Sequence, residues 1–265
     1  MEGQETDAYL MEDAVDPSAM MAMVNKEKVF VPKEGIRDEL FLTKDDCRAY
    51  CISVPGDEFM TYAKSVGGSP MSMLAIFFAR AAQRVHPENN LPINVMSPVS
   101  IRKVMGNHNS LLHQVVHTRY TFRNEDLEKD DASLNHMYRE FLKGFTSEQN
   151  IRRMCGVYRG ICESYEKAFA SGALDTLITE QRAAGDVLLS VSYLGTLRSA
   201  EYGKRIRMSA FHVMQEKGVM LQATEVGGQF YIDWYQGFHG EMYAKAMRDL
   251  MREAGMPGAV LTRVE

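Results

Sequence analysis

The spacing of apolar residues predicts a regular succession of strands and helices from about residue 48 onward. In the segment 71–85 the apolar residues recur every three or four positions, which is typical of a helix with one buried face. These residues are Leu74, Phe77, Phe78, Ala81 and Val85. Ser69 before this segment is a suitable cap, and Pro70 suits the first helical position. The segment therefore predicts a buried helix that starts at residue 70.

The same reasoning assigns the other elements. Further helices are expected at 58–66, 132–145, 148–170 and 240–254. Strands are expected at 48–54, 92–99, 112–122, 187–193, 206–214, 219–226, 229–236 and 259–264, with Pro98 interrupting the second of them and Gly227-Gly228 forming a hairpin turn. This mixture predicts an α+β fold, a two-layer sandwich in which helices cover a mixed β-sheet.

Residues 1–44 differ from the rest and are expected to form an acidic N-terminal arm, followed by one domain at 45–265. The arm carries no Lys or Arg before Lys26, whereas a targeting peptide would be basic. No segment has the roughly 18 consecutive apolar residues of a membrane span. A cytoplasmic location without a membrane span is therefore expected.

Composition narrows the possible partners and cofactors. The net charge of −5 and the pI of about 5.9 argue against nucleic-acid binding, because no broad basic surface would collect phosphates. The four cysteines form no CxxC pair, so free thiols are expected and a zinc site is not. His113 and His117 could share one side of a strand, but no third metal ligand is evident, and no metal is expected.

Three stretches together resemble a known superfamily. They are FMTYAKSVGGSPMSMLAIFFARAAQRVHPE at 59–88, INVMSPVSIRKVMGNHNSLLHQVVHTRY at 93–120, and the late strands at 188–236, with LLSVSYLGTL at their start and YIDWYQ at their end. In their order and spacing, they resemble the C-terminal half of a chloramphenicol-acetyltransferase-like acyltransferase. That superfamily includes alcohol acetyltransferases and nonribosomal-peptide condensation domains. By the same resemblance, Thr6–Leu10 looks like its crossing segment.

The resemblance implies a tunnel between two similar subdomains. An acyl donor on coenzyme A or on a carrier-protein phosphopantetheine would enter from one side as co-substrate, and a small-molecule alcohol or amine acceptor from the other. No cofactor would be tightly bound. In the family, a histidine of an HHxxxDG motif is the general base, a contribution of roughly 10²–10⁴-fold. This sequence contains no such motif. No catalytic residue can therefore be assigned, and the base would have to come from elsewhere.

The resemblance also suggests site residues. Arg102 matches the arginine that grips the motif's aspartate across the subdomains, which suits a planar, permanently charged guanidinium. The polar tunnel lining would comprise Asn107, Asn109, Ser192, Tyr193, Tyr235 and Gln236. Each also has a plainer interpretation: a surface charge for Arg102, turn formation for the asparagines, and core packing for the strand residues.

Two HxxxE segments are candidate replacements for the missing base. They begin at His136, on a predicted helix, and at His212, on a predicted strand. Neither has the preceding histidine or the following glycine of the family motif. A surface pair is the simpler interpretation of the first, and a structural role that of the second.

Two functions are consistent with these observations. In the first, the chain is the C-terminal half of a coenzyme A- or carrier-protein-dependent acyltransferase or condensation enzyme, inactive alone, and an HHxxxDG-bearing N-terminal half completes it. In the second, it is a non-catalytic half-domain that forms a homodimer or binds a partner. A histidine at the mouth of a cavity, held by a carboxylate of this chain, would contradict both.

Overall fold

The computed structural model describes residues 29–30, 48–106, 115–183, 189–196, 219–236 and 241–264. Seven strands lie within these ranges: β1 (Arg48–Pro55), β2 (Ile93–Ser100), β3 (Val115–Phe122), β4 (Leu189–Thr196), β5 (Val219–Val226), β6 (Gln229–Gln236) and β7 (Val260–Val264). The helices are α1 (Gly56–Ser65), α2 (Pro70–Val85), α3 (Asn124–Leu127), α4 (Asp131–Phe145), α5 (Glu148–Ser171), α6 (Leu174–Ala183) and α7 (Met242–Glu253). This confirms the predicted α+β class.

The strands form one mixed sheet in the order β3-β2-β4-β5-β6-β1-β7. Strand β4 pairs parallel to both β2 and β5, whereas β5, β6, β1 and β7 pair antiparallel in succession. The turn between β5 and β6 consists of Gly227 and Gly228, whose φ angles of 60° and 78° are unfavourable for other residues. The predicted hairpin is therefore confirmed, with its strand limits.

Several local expectations are corrected by the structure. Strand β2 runs through Pro98 without a break. The predicted interruption at this proline is therefore wrong. Helices α3 and α6 were not predicted. Ser69 caps α2 as expected, since its hydroxyl accepts from the Ser72 amide. The predicted strand at 206–214 lies outside the described residues.

By internal packing, the described residues fall into two compact units. The larger contains residues 29–30, 48–97, 119–140, 189–196, 219–236 and 241–264, and the smaller contains 98–106, 115–118 and 141–183. In the smaller unit, Ile101, Val116 and Ile151 form a buried cluster. The expected boundary near residue 45 stays a prediction, because residues 31–47 and most of the arm lie outside the described residues.

One layer of helices covers the sheet of the larger unit. The Phe78 ring of α2 lies 5.2 Å from that of Trp234 on β6 and 6.0 Å from that of Tyr243 on α7. Phe59 of α1 stacks on Phe230 of β6 at 4.1 Å. Trp234, Phe78 and Phe59 are at most 1% exposed, so these contacts form the core of the two-layer sandwich. None of the described helices is long and apolar enough to cross a membrane.

An ionic cluster holds α4 against α1 and α2. The carboxylate of Asp131, at the start of α4, accepts hydrogen bonds from Tyr62 of α1 and Arg80 of α2. Ser72 of α2 donates to Asn135 Oδ1 of α4 over 2.6 Å. Burial first, and then the bond to Asp131, raise the pKa of Tyr62, so its hydroxyl stays protonated at neutral pH and continues to donate. Three helices are thereby tied at one carboxylate.

Replacing Asp131 by Ala should lower the free energy of unfolding by roughly 3 kcal/mol, because it leaves the largely buried Arg80 without its carboxylate. The matched control is Glu253→Ala, which removes the solvent-exposed pair with Arg84 and should cost about 0–1 kcal/mol. Urea unfolding of both variants measures the difference. Equal losses would contradict a structural role for the Asp131 cluster.

Candidate functional site

The pairing register of four central strands separates their side chains onto two faces of the sheet. Because side chains alternate along a strand, residues that are directly paired share a face. One face carries Trp234 and Phe230 and packs on the helices, and it is called the helix-covered face. The opposite face is called the polar face, and its polar residues include Ser190, Ser192, Gln222, Thr224, Asp233 and Cys51.

A continuous row of functional groups crosses the polar face. Ser192 of β4 pairs with Gln222 of β5, Gln222 pairs with Asp233 of β6, and Asp233 pairs with Cys51 of β1. Directly opposed side chains have Cβ atoms roughly 4.5–5.5 Å apart. A hydroxyl, an amide, a carboxylate and a thiol therefore lie next to one another on four adjacent strands.

Several polar atoms of this face are buried without a hydrogen-bond partner. Among the described residues, five buried side-chain atoms have none, and three of them are Ser190 Oγ, Gln222 Oε1 and Thr224 Oγ1 on the polar face. Ser190 is 4% exposed and Thr224 is 2% exposed. Burying such a group without a partner costs about 1–3 kcal/mol. Their concentration on one face marks it as a candidate binding surface.

Cys51 is not a nucleophile in this arrangement. Burial first, and then the charge of Asp233, raise the pKa of the Cys51 thiol to about 12. The thiol is therefore protonated at neutral pH, whereas nucleophilic attack requires the thiolate. With Val226 and Tyr231, Cys51 forms a small apolar cluster on the same face. Its role there is packing beside the polar row.

The four candidate residues predicted on strands divide between the two faces. Ser192 and Tyr235 lie on the polar face, and their role as tunnel lining stays a prediction. Gln236 lies on the helix-covered face, where its Oε1 accepts from the Trp234 indole over 2.6 Å. Tyr193 also lies there, and its ring stacks on Phe230 at 5.6 Å. The structure therefore does not bring these four residues together, and packing accounts for Tyr193 and Gln236.

The remaining predicted site residues lie apart from this sheet face. Arg102 is partly buried in the smaller unit, and its guanidinium lies 3.4 Å from Ser100 Oγ. Its expected role as an interdomain anchor stays a prediction. Asn107 and Asn109 lie outside the described residues.

The described histidines are not placed as a general base. His86 comes nearest, since its Nδ1 is 3.4 Å from Glu88 Oε1 and its Nε2 is 2.6 Å from the Tyr243 hydroxyl. Both ring nitrogens are thus engaged, and the ring packs on Phe30 at 4.9 Å. His136 and His117 are exposed. His113 and His212 lie outside the described residues.

A cleft on the helical layer is a weaker candidate. It has a volume of about 500 Å³, and its lining includes Tyr62, Phe77, Arg80, Asp131 and Glu253. Its ionic groups are already paired, Arg80 with Asp131 and Glu253 with Arg84. His86 is not part of the lining. Within the described ranges, no three His, Cys, Asp or Glu side chains are grouped as a metal site.

Most of the polar row was missed in the sequence, although a signal is present. Ser190 and Ser192 alternate with Leu189, Val191 and Tyr193, so the segment is not uniformly apolar. Gln222 and Thr224 alternate in the same way in β5. Such alternation in two neighbouring strands indicates a shared polar face. The apolar residues at 187–189 and Val191 obscured this alternation, because such a segment is equally typical of a strand buried on both faces.

The fold is similar to those of several solved acyl-transfer and peptide-synthetase proteins. The epimerization domain from the third module of tyrocidine synthetase B matches with a TM-score of 0.56 and 12% identity, over 94% of this chain and 55% of that one. PapA2 acyl transferase matches with a TM-score of 0.55 and 10% identity, over 89% of this chain and 50% of that one. F. sporotrichioides TRI101, solved with coenzyme A and T-2, matches with a TM-score of 0.53 and 10% identity, over 89% of this chain and 55% of that one. Condensation domains also match.

These similarities establish the fold, which is the one that the resemblance predicts. No protein-family model matches the sequence, and no curated protein matches it. The chain spans about half the length of the solved structures that it matches. At this identity the fold is established and the activity is not, because one fold supports many functions.

The buried Cys51 and the exposed Cys162 are predicted to differ in thiol reactivity. With a pKa of about 12, only about 1 in 10⁴ of the Cys51 thiols is ionised at pH 8, and the side chain is also buried. Cys162 is exposed. In the native protein a maleimide should therefore modify Cys162 within minutes and Cys51 only after unfolding, as followed by peptide mass spectrometry. Rapid native labelling of Cys51 would contradict the burial and the raised pKa of this thiol.

Ser190 and Ser97 provide a matched test of the unpartnered hydroxyls. Both are buried strand serines, but Ser97 Oγ is hydrogen-bonded to the Tyr138 hydroxyl at 2.9 Å. Ser97→Ala should cost about 1–2 kcal/mol, whereas Ser190→Ala should be neutral or stabilising by up to roughly 1 kcal/mol. Chemical unfolding of both variants without ligand measures this. A loss in Ser190→Ala as large as that in Ser97→Ala would contradict the assignment.

Proposed function

We propose that this chain is a cytoplasmic component of an acyltransferase or condensation enzyme and forms its acceptor-side tunnel wall. The acyl donor is a thioester, either acyl-coenzyme A or acyl-phosphopantetheine, and the acceptor is a small alcohol or amine. The general base is supplied by an HHxxxDG-bearing N-terminal half, either on another polypeptide or upstream in the same one. The coverage supports the proposal most strongly, because the fold matches over about nine-tenths of this chain and only about half of each neighbour.

Two further observations support a partner-dependent mechanism. None of the seven histidines of the sequence belongs to an HHxxxDG motif. His86, the described histidine with a nearby carboxylate, is bonded through both nitrogens. Deprotonation of the acceptor requires a base within hydrogen-bond reach, roughly 2.6–3.2 Å. The described residues can therefore bind and orient substrates while the HHxxxDG-bearing half removes the proton.

In the proposed reaction, this chain binds and orients the acceptor and does not remove its proton. The acceptor oxygen or nitrogen attacks the thioester carbonyl, and its proton passes to the imidazole of the HHxxxDG-bearing half. The carbon–sulfur bond then breaks, and the donor leaves as a thiol by taking that proton from the imidazolium. The polar face is the described surface best suited to orient the acceptor, since it carries unused hydrogen-bonding atoms. Fixing the acceptor near the thioester lowers the entropic part of the barrier, which can be worth several kcal/mol.

A thiol-release assay tests this function directly. The chain alone, given acetyl-coenzyme A and a panel of alcohols and amines, should release thiol no faster than a heat-treated sample. Co-expression with an HHxxxDG-bearing polypeptide should restore turnover, and the control partner carries Ala at both motif histidines.

Two outcomes would contradict the proposal. Turnover by the chain alone would show that it contains its own base. A stable self-dimer that remains inactive with HHxxxDG-bearing partners would favour the non-catalytic half-domain, and sedimentation analysis would identify it.

A further inference from the structure

We propose that the polar face binds an elongated ligand that donates hydrogen bonds at several points, namely a linear polyol or amino alcohol. Three side chains carry the inference: Ser190, Gln222 and Thr224. Each has a buried oxygen without a hydrogen-bond partner, and all three lie on one face of adjacent strands β4 and β5. Assigning this ligand as the acyl acceptor rests on the proposed function, whereas the binding itself does not.

The chemistry of the unused atoms defines what the ligand must offer. Gln222 Oε1 can only accept a hydrogen bond, and the two hydroxyls can each accept and donate. Asp233, directly opposite Gln222, adds a carboxylate that also accepts. The face therefore presents an excess of acceptors, which hydroxyl or amino groups satisfy and ether or ester oxygens do not.

The positions of these groups define the ligand's shape. Gln222 lies between the other two, with Thr224 two residues further along β5 and Ser190 diagonally across on β4. Each outer side chain is roughly 7–8 Å from Gln222, and the two are roughly 14 Å apart. A compact ligand reaches one pair at most. A linear chain with polar groups at both ends bridges two sites at once.

Selectivity follows from the same groups. An alkyl alcohol of equal length satisfies one polar atom and leaves its neighbours buried and unpaired. A site built from hydrogen-bonding groups rejects analogues that lack the matching donor, often by more than tenfold. The face should therefore prefer a diol or an amino alcohol over a simple alcohol.

The test uses three six-carbon probes with the full chain: hexane-1,6-diol, 6-amino-1-hexanol and 1-hexanol. Dissociation constants are measured by titration with amide chemical-shift mapping. The first two probes should bind at least tenfold more tightly than 1-hexanol and shift amides of β4 and β5. Tighter binding of the amino alcohol than of the diol would indicate a cationic ligand. In that case Asp233→Asn should weaken binding of the amino alcohol and leave binding of the diol unchanged.

Variants connect binding to the named atoms. Thr224→Val and Gln222→Met keep the approximate shape, remove the hydrogen-bonding atoms, and should each weaken diol binding at least tenfold. The control is Thr121→Val, which removes a hydroxyl that already donates to Asn94 Oδ1 over 2.7 Å, and should leave binding unchanged. Thermal unfolding of each variant confirms that it is folded, and two separate variants keep the test valid if one fails to fold.

Three results would overturn the inference: no binding of either polar probe, equal binding of 1-hexanol, or binding unchanged in both variants. Each would mean that ordered water alone satisfies these groups. The outcome is separable from that of the proposed function. Binding without partner-dependent turnover removes only the function, whereas restored turnover with an unchanged acceptor KM in Thr224→Val removes only this site.

Discussion

The hydrogen-bonded register of β4, β5, β6 and β1 is the constraint on which the site depends. It places Trp234 and Phe230 against the helices, and it places Ser192, Gln222, Asp233 and Cys51 side by side on the other face. Side chains alternate with a period of two, so a shift of one residue would exchange these sets. The burial of the large aromatic residues holds the register, because the helical layer has a place for them on one face only.

The chain combines a firmly packed face with one whose polar groups are incompletely satisfied. The aromatic core and the Asp131 cluster belong to the former. The unpartnered oxygens of Ser190 and Thr224 belong to the latter. Proteins tolerate this kind of local cost at sites where a ligand or another chain completes the bonding. The stable packing of the helix-covered face offsets the free-energy cost of the unpartnered oxygens on the polar face.

Much of the fold could be predicted from local sequence. The cap at Ser69, the glycine pair at the β5–β6 turn and the three-and-four spacing in α2 each act within a few residues. These local signals correctly predict the hairpin, helix α2 and the sandwich class, whereas α3 and α6 were not predicted. Pro98 was misjudged because a strand tolerates a proline wherever no ladder bond from its nitrogen is needed, and that depends on neighbours in space.

The candidate site was harder to predict from the sequence than the fold, for a physical reason. Tyr193 and Gln236 are polar residues in strands, as Ser192 and Tyr235 are, yet only strand pairing decides which face each one occupies. The absence of an adjacent-histidine motif, by contrast, is visible in sequence alone. Motifs are local in sequence, whereas a binding surface on a sheet is assembled across strands that lie far apart in the chain.

The two-glycine turn at Gly227-Gly228 also limits how the sequence of this protein can evolve. With only two residues joining β5 to β6, an insertion of one residue would turn Gln222 and Asp233 away from each other's side of the sheet. Variation in ligand preference can therefore arise by exchanging individual side chains on the polar face. Altering the length of this connection would dismantle the aromatic core in the same step.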